Sequence, residues 1–290
     1  MQMIQSFNQT IDYIETVLSD EIDEEKVARL SGYSYRMFSR LFSILTDTTL
    51  TEYIRSRRLT EAAMLLRDTG DKVIDIALRF GYESADAFTA AFKSFHGSTP
   101  SEVRSGRPFR LVSRIQLALS INGGRSMNIT IQKKPALTVA GINRQVITSK
   151  LCPDTWGELF GKYSHQELAA LGNGQSVGVC HDMAEMAPCE GQGGHLINYM
   201  AGYLVNDEKR AVELGLDILQ TVEAEYAVVE LQGKVPDCIH QGWKYVMEVF
   251  FPEHGYIHSG QPDFEYYLEG DMYSDDYRME LWIPVAREEK

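Results

Sequence analysis

Residues 75–104, DIALRFGYESADAFTAAFKSFHGSTPSEVR, repeat a pattern that first occurs in residues 26–53, KVARLSGYSYRMFSRLFSILTDTTLTEY. In both copies apolar residues recur three and four positions apart, which predicts short amphipathic helices. Each copy has a Gly-Tyr pair, followed by two phenylalanines four positions apart. Because a solenoid needs at least three repeats, the two copies predict a pair of helix-turn-helix units instead.

The residues between the paired helices suit a tight turn. Glycine is favoured where a helix ends in the left-handed conformation, and Gly32 and Gly81 stand at those points. Serine is favoured at a helix N-cap, and Ser34 and Ser84 precede the second helices. We therefore predict the same turn in both copies, joined by a longer helix over residues 51–67.

The segment from about residue 7 to residue 104 resembles the DNA-binding domain of the AraC/XylS transcription regulators. The signature of that family is matched in the second copy by Asp75, Ile76, Ala77, Gly81, Tyr82, Ser84, Phe88, Phe92, Lys93, Gly97, Thr99, Pro100 and Arg104. The resemblance covers about a third of the chain and includes both units. It implies sequence-specific binding to double-stranded DNA, with RNA polymerase as a further candidate partner.

A change of pattern follows the second unit. Gly106, Pro108 and the Gly123-Gly124 pair interrupt the helical spacing. We therefore predict a DNA-binding domain over residues 1–108, a linker over residues 109–126 and a second domain over residues 127–290.

The second domain is predicted to contain strand, strand, helix and strands, in that order, twice. Its helices are predicted at residues 151–171 and 236–250, and the GQGG segment at 191–194 is interpreted as a flexible loop. Alternating and β-branched residues predict strands in MNITIQKKPALTVAGI, around a turn at Lys134-Pro135, and in QSVGVCH, HLINYMAGYLV, LDILQTV, EYAVVEL, FEYYL and RMELWIPV.

This duplicated α+β order resembles the GyrI-like, or gyrase-inhibitor-like, effector-binding domain. The supporting motifs are KPALTVAG, YMAG at 199–202, PEHGY at 252–256, PDFEYY at 262–267 and ELWIPV at 280–285. The resemblance covers about residues 127–287 and implies a sensor that binds hydrophobic, often cationic, small molecules between its two halves. The predicted protein is multidomain: an all-α double helix-turn-helix domain followed by a duplicated α+β sensor domain.

Charge is divided unevenly between the two parts of the chain. Residues 1–126 carry 16 basic and 16 acidic side chains, whereas residues 127–290 carry 12 basic and 25 acidic ones, which is the whole net charge of −13. Thirteen of the 16 basic side chains in the first part are arginines. Arginine binds phosphates and guanine edges through paired hydrogen bonds, so these arginines are candidates for DNA contact. On charge alone, it is equally possible that they only keep the exposed faces of the helices in contact with water.

The first recognition helix is predicted at about residues 35–44, beginning at Tyr35. Arg36, Ser39 and Arg40 share one face of it. Since the second helix of each unit lies in the major groove, we expect Arg40 or Arg36 to contact a guanine edge, with phosphate contact as the alternative. The AraC/XylS proteins often have Trp and Gln at the positions of Arg36 and Ser39, so their base preference does not transfer.

The corresponding surface of the second unit consists of Ser84, Ala85, Asp86, Thr89, Ala90 and Lys93. Phosphates repel Asp86, and an alanine offers only a methyl group to thymine. Lys93 and the first amides of the helix can still bind phosphate. Packing is therefore an equally good explanation of this helix, and we expect specificity to depend mainly on the first unit.

The candidate effector-binding residues are Trp156, Tyr199, Trp243, Tyr256, Glu265, Glu280 and Trp282. Any one of the aromatic residues is more often part of a core than of a ligand cage. Glu280 is favoured because it alternates with apolar residues in the last strand and shares a face with Trp282, where a carboxylate needs a partner or a cation. The resemblance implies the same role for it, and Glu265 is the second candidate.

Several functional classes are not indicated. There is no P-loop, no G-x-S-x-G and no H-E-x-x-H, and the cysteines lack metal-ligand spacing, so no catalytic residue, cofactor or metal is expected and the thiols are expected to be reduced. We expect a cytoplasmic regulator without a membrane segment. One enzymatic alternative remains, a GyrI-like small-molecule hydrolase fused to a DNA-binding domain.

Overall fold

A computed structural model describes residues 2–117, 127–146, 152–181 and 197–287. The chain forms two compact units. One is built from the helices that precede residue 118, and the other from the strands and helices that follow residue 126. The predicted loop at 191–194 and Cys189 lie outside the described residues.

The first unit is entirely helical, as predicted. Its helices are α1 (Gln2–Thr16), α2 (Glu24–Ser31), α3 (Tyr35–Thr46), α4 (Leu50–Asp68), α5 (Val73–Arg79), α6 (Ala85–His96) and α7 (Pro100–Arg104). The pairs α2–α3 and α5–α6 are the two helix-turn-helix units, and α4 is the helix that joins them. The internal repeat is thereby confirmed.

The turns have the predicted chemistry. Gly32 and Gly81 adopt left-handed backbone angles, with φ of 77° and 81°. The hydroxyl of Ser34 accepts a hydrogen bond from the backbone N–H of Met37 at 3.2 Å, and that of Ser84 accepts one from Ala87 at 3.2 Å. Each recognition helix therefore begins at a serine N-cap.

The repeated phenylalanines form the centres of two small cores. Phe38 and Phe42 are buried and lie 5.3 and 6.0 Å from the ring of Phe7. Phe88 and Phe92 are fully buried, with ring centres 5.3 Å apart. Burial of four aromatic rings explains why each short helix pair is stable in this unit.

A buried ion pair holds α1 against α4. The guanidinium of Arg57 donates to both carboxylate oxygens of Glu15 at 2.8 to 3.1 Å, and Tyr53 donates to the same carboxylate at 2.6 Å. Arg57 is only 8% exposed, and it also donates to Glu61 at 2.8 Å, so two carboxylates balance its buried charge.

Residues 109–117 continue this unit through hydrogen bonds to side chains on the helices. Arg57 donates to the carbonyl of Val112 at 2.7 Å, and Asn8 both donates to and accepts from the backbone of Leu117 at 2.8 Å. The backbone N–H of Arg110 donates to Nδ1 of His96 at 3.2 Å. We therefore propose that the helical unit extends beyond the domain end predicted at residue 108.

The second unit is α+β. Its strands are β1 (Ile129–Lys134), β2 (Thr138–Val146), β3 (Gly172–His181), β4 (Ile197–Val205), β5 (Asp217–Gln220), β6 (Ala224–Gln232), β7 (Tyr256–His258), β8 (Asp263–Tyr267) and β9 (Arg278–Arg287). Its helices are α8 (Cys152–Lys162), α9 (His165–Ala169), α10 (Glu208–Glu213), α11 (Asp237–Tyr245) with a π-helical turn (Val246–Phe250), and α12 (Phe251–His254).

The described strands form one antiparallel sheet in the order β1-β6-β9-β8-β3-β4-β2-β5, with β7 beside β9. When this order is read in reverse, each strand of one half takes the place of a strand of the other half: β1 that of β5, β2 that of β6, β3 that of β8 and β4 that of β9. The two halves are therefore related by a pseudo-two-fold arrangement whose centre is the β3·β8 pair. The duplicated order predicted from the sequence is confirmed, and each half contributes its first strand to the edge of the other.

The strand, turn and strand predicted around Lys134-Pro135 are confirmed as β1 and β2; β1 pairs with β6, and β2 pairs with β4 and β5. Other local predictions were wrong in detail. The helix predicted at 151–171 is divided in two because Ser164 begins a new helix with a capping box to Glu167. The short elements α10 and β7 were not predicted.

The two faces of the sheet bury different clusters, because side chains alternate along each strand. Residues of α8, among them Leu159, pack on the face that carries Ala140, Tyr199 and Ala201. We call this the helix face. The other face, here called the opposite face, carries Val179, Met200, Phe264 and Trp282.

Candidate functional site

A carboxylate lies at the centre of the helix face. Glu265 on β8 is directly opposite Gly178 on β3, in the pair of strands that joins the two halves. Its Oε2 accepts a hydrogen bond from the hydroxyl of Tyr199 at 2.7 Å and another from Tyr267 at 2.7 Å. Two phenolic donors on one oxygen suit an ionised carboxylate.

Aromatic rings surround this carboxylate. The indole N–H of Trp156, on α8, donates to the hydroxyl of Tyr199 at 2.8 Å, which continues the hydrogen-bond chain to Glu265. The rings of Trp156 and Tyr267 meet edge to face at 5.4 Å, and Phe160 stacks on Trp156 at 5.7 Å. Phe160 is 49% exposed, and Trp156, Glu265 and Tyr267 are half-buried, so the cluster reaches solvent.

Glycine at position 178 makes room for the cluster. A Cβ at this position would lie 2.3 Å from the hydroxyl of Tyr199 and 2.4 Å from Oε2 of Glu265. A side chain at the strand position opposite Glu265 would therefore require Tyr199 and Glu265 to move. Glu265 thus lies in one half of the pseudo-symmetric sheet, and Gly178 in the other half leaves space for its carboxylate.

The phenols at this site remain protonated donors. Burial raises the pKa of Tyr199 well above its usual value, and the negative charge of Glu265 raises it further. The same two causes, in the same order, raise the pKa of Tyr267. Because an ionised phenol beside Glu265 would be doubly unfavourable, these hydroxyls act as hydrogen-bond donors at neutral pH and not as bases.

Of the predicted effector-binding residues, the structure brings Trp156, Tyr199 and Glu265 into direct contact. Trp243 is 4% exposed and stacks on His258 at 6.1 Å. Tyr256 stacks on Phe250 at 5.8 Å, with the guanidinium of Arg287 4.1 Å from its ring centre.

Glu280 and Trp282 lie on the opposite face of the sheet. Glu280 pairs in register with Tyr266, whereas Glu265 pairs with Leu281, so the two glutamates project from different faces. Oε2 of Glu280 accepts a hydrogen bond from the indole N–H of Trp282 at 2.7 Å. The two carboxylates that the sequence offered as alternatives are therefore separated by the sheet.

Sequence reasoning missed Tyr267 and Gly178. Tyr267 stands two positions after Glu265 in the PDFEYY motif, and the period of two along a strand puts both on one face. That signal was available for Tyr267. The role of Gly178 depends on a partner 87 positions away, as the pairing of β3 with β8 shows, and no local pattern indicates it.

The side chains of the first recognition helix that were expected to contact DNA are less exposed than that role suggests. Ser39 and Arg40 are 6% and 7% exposed, and Arg36 is half-buried, with no hydrogen-bond acceptor for its Nη1 among the described residues. Tyr35 lines a cleft of about 390 Å³ in the helical unit, and burial raises its pKa to about 12.

The second recognition helix is more open. Ser84, Asp86 and Lys93 are exposed, and Ala85 and Thr89 are half-buried. The assignments of DNA-contacting residues in both units stay predictions.

Comparison with known families agrees with both units. Residues 127–286 match the GyrI-like small molecule binding domain, and residues 27–106 match a helix-turn-helix domain. The first match covers more than half of the 290 residues. The chain belongs to the GyrI-like family. Its N-terminal part is an AraC-type helix-turn-helix DNA-binding domain, and its GyrI-like domain is a small-molecule-binding domain.

The curated relatives match the DNA-binding part. The chain is 41% identical over 96 residues to the putative HTH-type transcriptional regulator YkgA of Escherichia coli, a match that covers 33% of this chain and 40% of YkgA. It is 36% identical over 94 residues to the multiple antibiotic resistance protein MarA of Salmonella typhimurium, covering 32% of this chain and 74% of MarA. Both matches fall on the helix-turn-helix part of this chain, and the chain covers less than half of the length of YkgA.

Among solved structures, the GyrI-like domain is similar to SAV2435 bound to tetraphenylphosphonium. The identity is 23% and the TM-score 0.45, and the match covers 55% of this chain and 94% of that one. Among the described residues, Cys152, Cys180 and Cys238 of the present chain form no disulfide. No helix in the described parts of the chain has the length and apolar character needed to cross a membrane.

Proposed function

We propose that this protein is a one-component transcription regulator whose GyrI-like domain binds a lipophilic cation against Glu265. The observation that carries the proposal is the position of Glu265, a half-buried carboxylate that faces solvent through a ring of Trp156, Tyr199 and Tyr267. Aromatic faces attract cations, and a carboxylate adds charge complementarity.

The charge distribution supports the same class of effector. Residues 127–290 carry the whole net charge of −13, which attracts cations at long range, although acidic surfaces also serve solubility. The sequence favoured Glu280 as the effector carboxylate. The geometry favours Glu265, because only Glu265 shares its face of the sheet with Trp156 and Tyr199.

For the DNA-binding domain, we propose that Arg40 or Arg36 recognises a base. We also propose that binding of the effector changes how this domain is presented to DNA. Base recognition is proposed because a guanidinium can form two hydrogen bonds to a guanine edge. A regulator of this kind acts on the chromosome, and we accordingly propose a cytoplasmic location and RNA polymerase as a partner.

Two isosteres test the effector class. Benzyltrimethylammonium is a cation, and 2,2-dimethylpropylbenzene has the same shape without the charge. Calorimetric titration of the full chain should show tighter binding of the cation. A charge about 5 Å from the carboxylate gains about 3 kcal/mol at an effective dielectric of about 20, before desolvation is subtracted. Glu265→Gln should therefore weaken binding of the cation at least about tenfold and leave the neutral compound nearly unaffected.

Glu280→Gln is the matched control, because this carboxylate lies on the opposite face and should not contribute. An equal loss of affinity for both compounds in Glu265→Gln would contradict the proposal, as would a selective loss in Glu280→Gln. Mass spectrometry of the recovered ligand tests the hydrolase alternative. Sustained turnover that Glu265→Gln abolishes, with affinity intact, would favour an enzyme.

A further inference from the structure

The opposite face of the sheet holds a second group of aromatic and acidic side chains. Tyr266 stacks on Trp282 with ring centres 4.7 Å apart and an interplanar angle of 18°. Glu280 accepts a hydrogen bond from the indole N–H of Trp282 at 2.7 Å. Glu230 is directly across the strand pair from Glu280. Two aromatic rings beside carboxylates form a receptor for a cation.

An ammonium group already occupies this receptor. Nζ of Lys134 lies 4.0 Å from the ring centre of Trp282, within the range of a cation–π interaction. Lys134 ends β1, two strands from Trp282, and its side chain also donates to Gln132 at 2.8 Å. Burial lowers the pKa of Lys134, while the charge of Glu280 opposes that shift.

Glu280 also has a second carboxylate opposite it on the neighbouring strand. Like charges directly opposite each other on neighbouring strands are unfavourable, and Glu230 and Glu280 are such a pair. The carboxylate of Glu230 accepts a hydrogen bond from the side-chain amide of Asn128 at 2.9 Å, whereas Lys134 is the cation that acts on Glu280. Lys134, Glu280 and Tyr266 are half-buried, so a small solute can reach the group from solvent.

We propose that Trp282, Tyr266 and Glu280 form a second cation site, closed by the protein's own Lys134, and that small quaternary ammonium ions compete with this lysine. The site is separate from the one at Glu265, because the sheet lies between them. A small ion suits it better than a bulky one, since Trp282 is only 6% exposed.

The test uses the full chain labelled with 5-fluorotryptophan and titrated with tetramethylammonium. The chain has Trp156, Trp243 and Trp282, so ¹⁹F NMR gives one resonance for each, and Trp282→Phe assigns the third. Lys134→Met removes the ammonium and keeps the length of the side chain. We expect the Trp282 resonance to shift at a concentration at least tenfold lower in Lys134→Met than in the original chain.

Lys134→Arg is the control, because it keeps a cation over the indole and should titrate like the original chain. Lys134→Gln provides a second neutral variant if Lys134→Met does not fold, as judged by the dispersion of the three resonances. Sodium chloride at the same ionic strength separates binding from screening. Equal midpoints in the neutral variants and the original chain would overturn the proposal, as would a shift confined to Trp156.

Discussion

The substitution Gly178→Ala is the sharpest test of the site at Glu265. The added methyl carbon would lie 2.3 Å from the hydroxyl of Tyr199 and 2.4 Å from Oε2 of Glu265, whereas ordinary contacts begin at 3.4 Å. Both oxygens must therefore retreat by about 1 Å, in a site where Tyr199 is 1% exposed. The rigid backbone of β3 holds the new methyl in place.

The expected cost follows from these contacts. Overpacking of a buried site costs about 1–3 kcal/mol, and loss of a hydrogen bond to a charged group costs about 1.5–3 kcal/mol. Since the same displacement causes both, we expect Gly178→Ala to lower the free energy of unfolding of the GyrI-like domain by about 2.5–6 kcal/mol. Affinity for benzyltrimethylammonium should fall at least about tenfold, because Tyr199 and Glu265 no longer hold their positions.

Urea unfolding followed by tryptophan fluorescence measures this effect in one domain of the full chain. All three tryptophans belong to residues 127–290, so the signal reports on the GyrI-like domain alone. Gly161→Ala is the control: Gly161 is exposed on α8, and its added Cβ would meet nothing within 4 Å. If Gly178→Ala unfolds and binds like Gly161→Ala, the space reserved at Gly178 has no function and the reasoning fails.

Three further predictions concern the DNA-binding domain. Glu15→Ala should lower its stability by about 1.5–3 kcal/mol in thermal unfolding followed by circular dichroism, because Arg57 loses the more buried of its two carboxylate partners and keeps only Glu61. Burial lowers the pKa of His96 below its ordinary 6.5, so the unfolded chain protonates first and stability should fall as pH drops through 6.5, but not in His96→Gln. Arg40→Ala should cost about 1–3 kcal/mol on the cognate site, measured by fluorescence anisotropy, and Ala90→Ser little; equal losses on random DNA would make Arg40 a phosphate contact.

The sequence alone determined the architecture of the helical unit, because the interactions that define it are local. Apolar spacing, the left-handed glycines and the serine N-caps act over a few residues, so Gly32 and Ser34 predicted the same turn that Gly81 and Ser84 make in the second copy. The duplicated order of strands and helices in the GyrI-like domain was also predictable, since it follows from the period of apolar residues in each segment.

Only the tertiary structure decided between Glu265 and Glu280. Both stand in strands with alternating apolar residues, and that alternation separates the two faces of a strand without saying which face the helices cover. The pairing of β8 with β9 puts Glu280 opposite Tyr266, and the pairing of β3 with β8 puts Glu265 opposite Gly178. Such pairings join residues far apart in the chain, so the site exists only once the sheet has formed.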